Sequence, residues 1–195
     1  MPNKIYGFVG PQGCGKSTMV SQLKSMGIYY IPTDTTRIFT KRETNRTELY
    51  RTIKKEEFAA QDYMSRITYQ GEYYGLRKDI ISAALEKHRI SIAIIDPAAI
   101  KQLTKFIKKN LLTIYLMIDQ ETLVDRMLKM NLTNDEITYN VDYSESNGEF
   151  DSWRFTNYVV KNTGSPKDTL EQILAIMGLM TLVPQKDFNS LIDVE

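Results

Sequence analysis

A glycine-rich segment from Gly10 to Thr18 constrains the fold of this chain more than any other feature. Its sequence, Gly-Pro-Gln-Gly-Cys-Gly-Lys-Ser-Thr, fits the phosphate-loop pattern G-x-x-x-x-G-K-S/T. An apolar run, Ile5 to Val9, precedes the segment, and the residues from Thr18 to Ser25 are compatible with a helix. The pattern needs this order because backbone N–H groups and the helix dipole must converge on a phosphate. The segment therefore predicts a site for a nucleoside triphosphate.

The residues of this phosphate loop have separate predicted roles. Lys16 is expected to contact the β- and γ-phosphates, and the Ser17 hydroxyl is expected to bind Mg²⁺. Cys14 is the one cysteine of the chain, and we interpret it as a filler of the loop because only its backbone is needed. The predicted ATP contacts are Gly10, Pro11, Gln12, Gly13, Cys14, Gly15, Lys16, Ser17 and Thr18.

Charge and composition exclude several classes of partner. The chain has 25 Lys and Arg against 24 Asp and Glu, which is not the balance of a globally basic nucleic-acid-binding protein. No apolar run reaches the length of a membrane span, and no signal-peptide pattern precedes the first strand. A single cysteine suits a reducing compartment. We predict a cytoplasmic protein, monomeric or homodimeric, that binds neither nucleic acid nor membrane.

Apolar runs that alternate with helical patterns predict the fold class. The runs with the character of buried strands are 5–9, 28–31, 91–96, 111–118 and 158–160. Helical periodicity places apolar residues on one stripe at 76–88, 121–130 and 166–179. Buried strands that alternate with helices indicate a parallel sheet covered on both faces. We therefore predict an α/β phosphate-loop NTPase fold with about five parallel strands.

Two polar segments interrupt this alternation. The first, 33–75, contains seven basic against two acidic residues between Arg37 and Lys55. A solvated loop has this composition, but basic charge beside a phosphate loop also favours a second anionic ligand. The second, 131–154, is a candidate lid, with a plain surface loop as the alternative. The predicted organisation is a single domain with its core at 1–32, 76–130 and 155–180, an insertion at 33–75, a lid at 131–154 and a tail at 181–195.

Short motifs, ordered from Ile5 to about Asn162, resemble the guanylate kinase family of nucleoside monophosphate kinases. The phosphate loop resembles that family's Gly-Pro-Ser-Gly-x-Gly-Lys-Ser/Thr. The other segments that carry the resemblance are 33–37 (Ser-x-Thr-Thr-Arg in the family), 50 with 55–58 (Tyr-x-Phe-x-x-x-x-Glu-Phe), 71–75 (Gly-x-x-Tyr-Gly), 94–96 (the strand ending in Asp-Ile-Asp) and 158–162 (Asp-Tyr-Val-Val-x-Asn).

The resemblance implies that the insertion binds the phosphate of an acceptor, a nucleoside monophosphate. A guanidinium makes bidentate contacts to phosphate, and tyrosine hydroxyls donate to it without adding charge. A second family arginine falls at Thr40, where Lys41 or Arg42 could substitute. The residues assigned to the acceptor's phosphate by matching position are Arg37, Tyr50, Tyr74 and the hydroxyl of Thr33.

Three more positions receive roles from the resemblance. Asp96 matches a strand-end aspartate near the acceptor and the metal, where it could hold Mg²⁺ through water or orient the acceptor. The alternative is that Asp96 is an N-cap for the segment from Pro97 onward. Arg126 matches an arginine that neutralises the transferring phosphoryl group, so the predicted catalytic residues are Lys16, Arg37 and Arg126. Asn162 is assigned to the ATP site.

The chain departs from the family at two places. The glutamate that binds guanine aligns with Ser65, and the hydroxyl residues that also contact guanine align with Leu76 and Arg77. Loss of that carboxylate removes much of the discrimination between bases. Ser65 is therefore assigned to the acceptor site, but the sequence does not determine which base the site accepts. The lid arginines fall at Leu128, Met130 and Asn140, which leaves Lys129 and Arg154 as the nearby cations. Either these cations move in, or the acceptor-side cations neutralise more of the charge, or the protein is a weak catalyst.

Three functions are consistent with this pattern. The first is ATP- and Mg²⁺-dependent phosphorylation of a nucleoside or deoxynucleoside monophosphate. The second keeps the chemistry but takes a phosphorylated ribose, which the absent guanine contacts favour. The third is a protein-binding module that has lost catalysis, which the lost lid arginines favour and the intact Lys16–Ser17 pair disfavours.

Overall fold

The computed structural model describes residues 2–39 and 47–180, and its elements follow the alternation of the sequence. The strands are β1 (Lys4–Val9), β2 (Tyr29–Tyr30), β3 (Thr33–Thr35), β4 (Tyr50–Thr52), β5 (Tyr63–Tyr69), β6 (Glu72–Arg77), β7 (Ile90–Ile94), β8 (Leu111–Met117) and β9 (Tyr158–Lys161). The helices are α1 (Lys16–Ser25), α2 (Lys55–Ala60), α3 (Lys78–Lys87), α4 (Pro97–Ile107), α5 (Gln120–Lys129), α6 (Asn134–Ser146) and α7 (Pro166–Ile176), with 3₁₀ turns at Lys108–Asn110 and Ser152–Phe155.

The main sheet confirms the predicted fold class. Its five strands lie in the order β2–β7–β1–β8–β9, and all of its pairings are parallel. Strand β1 is central, with Ile5 opposite both Ser91 of β7 and Leu111 of β8. Parallel strands need crossover connections, and helices supply them here. As a result the carboxyl ends of β1 and β7 lie at one edge of the sheet, where the phosphate loop begins.

Alternate residues of β1 enter separate hydrophobic clusters on the two faces of the sheet. Ile5 and Val9 belong to the cluster that includes Ile81 of α3 and Leu103 of α4. Tyr6 and Phe8 belong to the cluster that includes Met19 and Leu23 of α1 and Ile173 of α7. Side chains of a strand point alternately to opposite faces, so both faces are buried. This double burial fixes the end of β1 and hence the start of the phosphate loop.

The insertion at 33–75 forms a second sheet in the order β4–β3–β6–β5. Strand β3 is parallel to β4 and antiparallel to β6. The predicted helix at 76–88 starts later, at Lys78, because Leu76 pairs with Ser65 inside this sheet. The predicted acceptor residues Lys41 and Arg42 and the tail at 181–195 lie outside the described residues.

The segment predicted as a lid or surface loop contains the 13-residue helix α6. The helix begins with a capping box, in which the Thr133 hydroxyl and the Glu136 carboxylate satisfy each other's backbone N–H groups. Ile137 is buried against Leu123 and Met127 of α5. Val141 packs against the same cluster, so a small apolar face and a capped N-terminus support the helix although the segment has few aliphatic residues. Among the described residues, no helix has both the length and the apolar character to cross a membrane.

Candidate active site

The phosphate loop, the second sheet, the end of β7 and the lid segment border one cavity. The loop lies between β1 and α1, and the second sheet lies beyond the carboxyl end of the main sheet. Ligand sites of open α/β sheets occur at this edge. The residues that line the cavity are Gly10, Gln12, Lys16, Ser17, Thr33, Arg37, Phe39, Tyr50, Ser65, Ile67, Tyr69, Tyr74, Gly75, Leu76, Ile94, Ile95, Asp96 and Glu149.

Backbone geometry forms the part of this cavity that adjoins the phosphate loop. We call this part the donor half, because the sequence predicts that ATP, the phosphoryl donor, binds there. Gly10, Gly13 and Gly15 have φ angles of 142°, 84° and 103°, which strongly favour glycine. A Cβ on Gly15 would lie 2.5 Å from Nδ2 of Asn162, so the position is also closed to any side chain. Helix α1 follows Gly15 with no side-chain cap and no acidic residue in its first turn. Its first N–H groups are therefore available to an anion.

Lys16 and Cys14 differ in their accessibility to a ligand. The Lys16 ammonium donates hydrogen bonds to the carbonyls of Gly10 and Pro11, the latter at 2.9 Å, and lines the cavity. The Cys14 thiol is completely buried within the hydrophobic cluster under α1, and burial raises the pKa of this thiol. A buried, protonated thiol is unreactive, which agrees with the prediction that Cys14 fills the loop.

Arg126 and Asn162 hold the phosphate loop from behind. The Arg126 guanidinium donates to the Cys14 carbonyl at 3.2 Å and to the Asn162 carbonyl at 2.8 Å. The Asn162 amide donates to the same Cys14 carbonyl at 2.7 Å and accepts from the Thr169 hydroxyl at 2.8 Å. Arg126 borders a separate groove with Lys129, not the cavity that holds Lys16. Arg126 thus contacts the loop two residues before Lys16, but it is not among the residues that line the cavity with Lys16 and Arg37.

The part of the cavity formed by the second sheet, the acceptor half, brings together the residues that the family resemblance assigns to the acceptor's phosphate. Tyr50 of β4 lies opposite Thr33 of β3, and the Tyr50 and Tyr74 rings meet edge to face with centroids 5.8 Å apart. Arg37 follows β3, and its guanidinium lies over the Phe39 ring at 5.2 Å. All of these side chains line the same cavity as Lys16. The cavity thus joins the glycine-rich loop to the cluster of side chains that the resemblance assigns to a phosphate.

An ion pair with a buried carboxylate supports the strands of the acceptor half. Asp34 of β3 is completely buried and accepts two hydrogen bonds from Arg51 of β4, at 2.9 and 2.7 Å. The Tyr63 hydroxyl of β5 donates to the same carboxylate at 2.8 Å. This ion pair fixes the register of two three-residue strands, and Arg51 is adjacent to Tyr50. Sequence analysis missed the pair, although an aspartate in a strand of β-branched residues was a usable signal.

Ser65 and Asp96 meet in the wall of the cavity. The Ser65 hydroxyl donates to Oδ2 of Asp96 at 2.7 Å, while Oδ1 of Asp96 accepts the Ala99 N–H at 2.9 Å. Asp96 is therefore the N-cap of α4, the alternative that the sequence left open, and it also lines the cavity. Ile67 and Leu76 line the adjacent wall. Since Ser65 donates its one proton to Asp96, its oxygen is left as an acceptor for a ligand.

The lid segment makes polar contacts that sequence analysis did not identify. The Tyr69 hydroxyl of β5 donates to the Asn140 side chain of α6. The Ser144 hydroxyl of α6 donates to the buried carboxylate of Glu149 at 2.7 Å and accepts the Gln12 N–H at 3.1 Å. Lys129 and Arg154, which one of the three alternatives moves into the site, do not line the cavity and pair with Asp125 and Asp151.

The fold and the cavity together define a phosphate-loop protein of the kinase type. The chain matches the family model described as guanylate kinase over residues 3–177, and it belongs to the guanylate kinase family. The family and the fold support a nucleotide-kinase-like function.

Solved structures show where the fold recurs. The structure of guanylate kinase from Anaplasma phagocytophilum is similar, with a TM-score of 0.63 and 15% sequence identity, over 98% of this chain and 93% of that one. Shikimate kinase from Bacteroides thetaiotaomicron matches with a TM-score of 0.51 and 15% identity, over 91% of this chain and 99% of that one. No curated protein sequence matches the chain significantly.

Proposed function

We propose that the protein transfers the γ-phosphoryl group of ATP to the phosphate of a nucleoside or deoxynucleoside monophosphate. The observation that carries this proposal is the composition of one cavity. Lys16 and Ser17 line it from the phosphate loop, while Arg37, Tyr50 and Tyr74 line it from the second sheet. Two anion sites in one cavity suit a reaction that joins two phosphates.

The phosphate loop is suited to the donor, ATP with magnesium. A Cβ on Gly10, Gly13 or Gly15 would lie 2.5–3.1 Å from the nearest protein atom, and α1 begins without a side-chain cap. Lys16 would exchange its bonds to loop carbonyls for bonds to phosphate oxygens. The Ser17 hydroxyl and the Asp96 carboxylate, which is held by Ser65 and Ala99, would hold Mg²⁺. Bound magnesium supplies neutralisation of the charge on the β- and γ-phosphate oxygens.

Side chains of the second sheet would bind the acceptor. Arg37 makes the charged contact to the acceptor's phosphate, and the hydroxyls of Thr33, Tyr50 and Tyr74 donate to the same group. An oxygen of this phosphate attacks the γ-phosphorus of ATP, and the bond to the β–γ bridging oxygen breaks. The products are a nucleoside diphosphate and ADP. No protein nucleophile is required, so alignment and neutralisation of charge account for the rate.

Arg126 would act through the loop rather than on the transferring group. Its two hydrogen bonds hold the carbonyls of Cys14 and Asn162, which brace the turn before Lys16. Lys16 and Arg37 are then the side-chain cations that neutralise the transferring phosphoryl group within the described part of the chain. This division of roles differs from the one that the sequence comparison predicted for Arg126.

A phosphorylated ribose is a second candidate for the acceptor. The observation that favours it is the commitment of the Ser65 proton to Asp96 beside the apolar side chains Ile67 and Leu76. Guanine requires acceptors for two adjacent N–H groups and a donor for its carbonyl oxygen. The pair of Ser65 and Asp96 does not provide the extended carboxylate that the family uses for this purpose.

The test is ADP release in the presence of a panel of acceptors. The panel contains ribo- and deoxynucleoside monophosphates and ribose phosphates, each with ATP and Mg²⁺. We expect one class to stimulate turnover and Lys16→Ala to lower it by about 100-fold or more. Lys24→Ala is the matched control, because Lys24 lies on the same helix and pairs with Glu48 on the surface.

Three results would change the proposal. If ribose phosphates alone stimulate turnover, the second candidate replaces the first. If no acceptor raises ADP release above the level of Lys16→Ala, neither kinase function holds. Failure of the wild-type protein to bind ATP with Mg²⁺ in a calorimetric titration would favour the protein-binding module instead.

A further inference from the structure

Helix α6 of the lid contacts the donor half of the cavity near its C-terminal end. The Ser144 hydroxyl accepts the Gln12 backbone N–H at 3.1 Å and donates to Glu149 at 2.7 Å. Ser144 is only 1% exposed, and Glu149 lines the cavity. Because Gln12 belongs to the phosphate loop, this end of the helix is tied to the donor site.

The same helix contacts the acceptor half one turn earlier. Asn140, which is 7% exposed, accepts a hydrogen bond from the Tyr69 hydroxyl. Asn140 and Ser144 are four residues apart and therefore lie on one face of the helix. Tyr69 lines the cavity, and its ring meets the Tyr74 ring edge to face with centroids 6.3 Å apart. Tyr74 is one of the residues assigned to the acceptor's phosphate.

Two further tyrosines of α6 reinforce the contact with Tyr69. The Tyr143 ring lies edge-on to the Tyr69 ring at 4.9 Å, and the Tyr139 ring lies at 5.9 Å. The Tyr143 hydroxyl donates to the Thr68 carbonyl at 3.4 Å. Burial raises the pKa of Tyr143 to about 12, so its hydroxyl keeps the proton at neutral pH. The end of β5 is therefore packed against the lid by aromatic rings.

Cations of the lid region do not make these contacts. The Lys129 side chain is 77% exposed and pairs with Asp125 at 3.6 Å, and the Arg154 side chain is 61% exposed and pairs with Asp151 at 3.1 Å. Between 131 and 154, a stretch that the structure describes throughout, the neutral side chains of Asn140 and Ser144 join the lid to Tyr69 and to the phosphate loop. The lid is thus held by hydrogen bonds and ring packing.

We propose that Tyr69 is a positioning residue for the acceptor and that its hydrogen bond to Asn140 couples the acceptor half to the lid helix. The proposal rests on the proposed function, because the acceptor binds beside Tyr74. Tyr69 orients the Tyr74 ring, and its bond to Asn140 keeps α6 over the cavity. Ser144 of the same helix accepts a hydrogen bond from the Gln12 N–H of the phosphate loop, so one helix contacts and aligns both halves of the cavity. In that place α6 excludes water from the transferring phosphoryl group.

Tyr69→Phe tests this proposal because it removes the hydroxyl and keeps the ring. We expect the KM for the acceptor to rise about three- to tenfold, as for the loss of one hydrogen bond, with the KM for ATP unchanged. The rate of ATP hydrolysis by water should rise relative to the rate of phosphoryl transfer to the acceptor. Tyr73→Phe is the matched control, because Tyr73 lies on β6, stacks on Phe58 and does not line the cavity.

A double-mutant cycle identifies the partner of Tyr69. If the hydroxyl acts through Asn140, the variant with both Tyr69→Phe and Asn140→Ala should have an acceptor KM no higher than the worse single variant. If the increase in acceptor KM of the double variant equals the product of the two single increases, Asn140 is not the partner through which the Tyr69 hydroxyl acts. Equal acceptor KM values for Tyr69→Phe and Tyr73→Phe would overturn the positioning role of Tyr69.

Hydrogen exchange measures the coupling to the lid without any chemistry. Amides of 134–146 should exchange about three- to tenfold faster in Tyr69→Phe than in the wild type, and Tyr73→Phe should leave them unchanged. Unchanged exchange in Tyr69→Phe would overturn the coupling. If the wild type phosphorylates no acceptor, the proposed function and the positioning role both fail, whereas exchange still decides whether Tyr69 holds the lid helix.

Discussion

The two halves of the cavity are constructed from different parts of the chain. The donor half depends on backbone, with glycines at positive φ and a helix N-terminus that no side chain caps. The acceptor half depends on side chains such as Tyr50 and Thr33, carried by strands of three residues. A backbone site recognises the charge and shape of a phosphate through N–H groups that every residue carries. A side-chain site depends on the particular residues that its strands place in the cavity.

The largest expected effect concerns the donor half. Gly15→Ala places a Cβ 2.5 Å from Nδ2 of Asn162 at a residue whose φ is 103°. We expect the affinity for ATP with Mg²⁺ to fall about 100-fold, which corresponds to about 3 kcal/mol of strain. Isothermal titration calorimetry with ATP and Mg²⁺ measures this loss.

Gly27→Ala is the control for Gly15→Ala. Gly27 also has a positive φ, 89°, but no atom lies within 4 Å of the added Cβ. This variant should lose about 1 kcal/mol of unfolding free energy and keep its affinity for ATP. If both variants bind ATP as the wild type does, the donor half does not depend on its backbone geometry.

The next effect concerns the acceptor half. Arg37→Gln removes the charged contact to the acceptor's phosphate, and a hydrogen bond to a charged group contributes about 1.5–3 kcal/mol. We expect the acceptor KM to rise about 10- to 100-fold while the affinity for ATP stays the same. Steady-state kinetics with each substrate varied in turn provide the measurement.

Arg66→Gln is the matched control for Arg37→Gln. Arg66 lies on β5 of the same sheet, with its guanidinium over the Tyr63 ring at 5.1 Å, and it does not line the cavity. Its acceptor KM should be that of the wild type. A rise in the KM for ATP in Arg37→Gln, equal to that for the acceptor, would contradict the separation of the two halves.

The sequence predicts the donor half better than the acceptor half for a physical reason. Buried strands that alternate with helices are a local pattern, and the main sheet confirms the fold class that they predict. The glycine positions of the phosphate loop are also a local pattern, and Gly10, Gly13 and Gly15 have positive φ angles. The contacts of Asp34 with Arg51 and of Tyr69 with Asn140 join residues that are 17 and 71 positions apart. No local pattern specifies such pairs. Strands of three residues are also too short for alternation of polar and apolar residues to identify them.

The roles of individual residues show the same limit. The resemblance assigns Arg126 to the transferring group, while the structure places its guanidinium on the carbonyls of Cys14 and Asn162, so its catalytic role stays a prediction. Glu149 escaped notice because it lies in a polar segment where a carboxylate carries no signal. The roles of Lys41 and Arg42 stay predictions, since both residues lie outside the described part.

A smaller effect tests what holds the acceptor half together. Arg51→Gln removes the two hydrogen bonds that the completely buried Asp34 carboxylate accepts from Arg51. The carboxylate then keeps only its hydrogen bond from the Tyr63 hydroxyl among these three. We expect a loss of about 2 kcal/mol in unfolding free energy, less than for a fully buried pair because the Arg51 side chain is 40% exposed. Denaturant unfolding measures this loss.

The functional consequence of Arg51→Gln should be confined to one substrate. Tyr50 adjoins Arg51, so the acceptor KM should rise while the affinity for ATP is kept. Arg154→Gln, which breaks the exposed pair with Asp151, should change the unfolding free energy by less than about 0.5 kcal/mol. Equal losses of stability in the two variants would show that the Asp34–Arg51 pair is not a support of the second sheet.

The smallest expected effect separates base recognition from phosphate binding within the acceptor half. Ser65→Ala removes an oxygen that can accept from the acceptor and leaves Asp96 as the cap of α4. We expect acceptor KM values to rise about threefold, by amounts that differ between bases, because one neutral hydrogen bond is lost. Thr68→Ala removes a hydroxyl from the same strand outside the cavity and should change none of them. If Ser65→Ala raises every KM by one factor, Ser65 does not contact the base, and the specificity of the acceptor half must come from the apolar wall of Ile67 and Leu76.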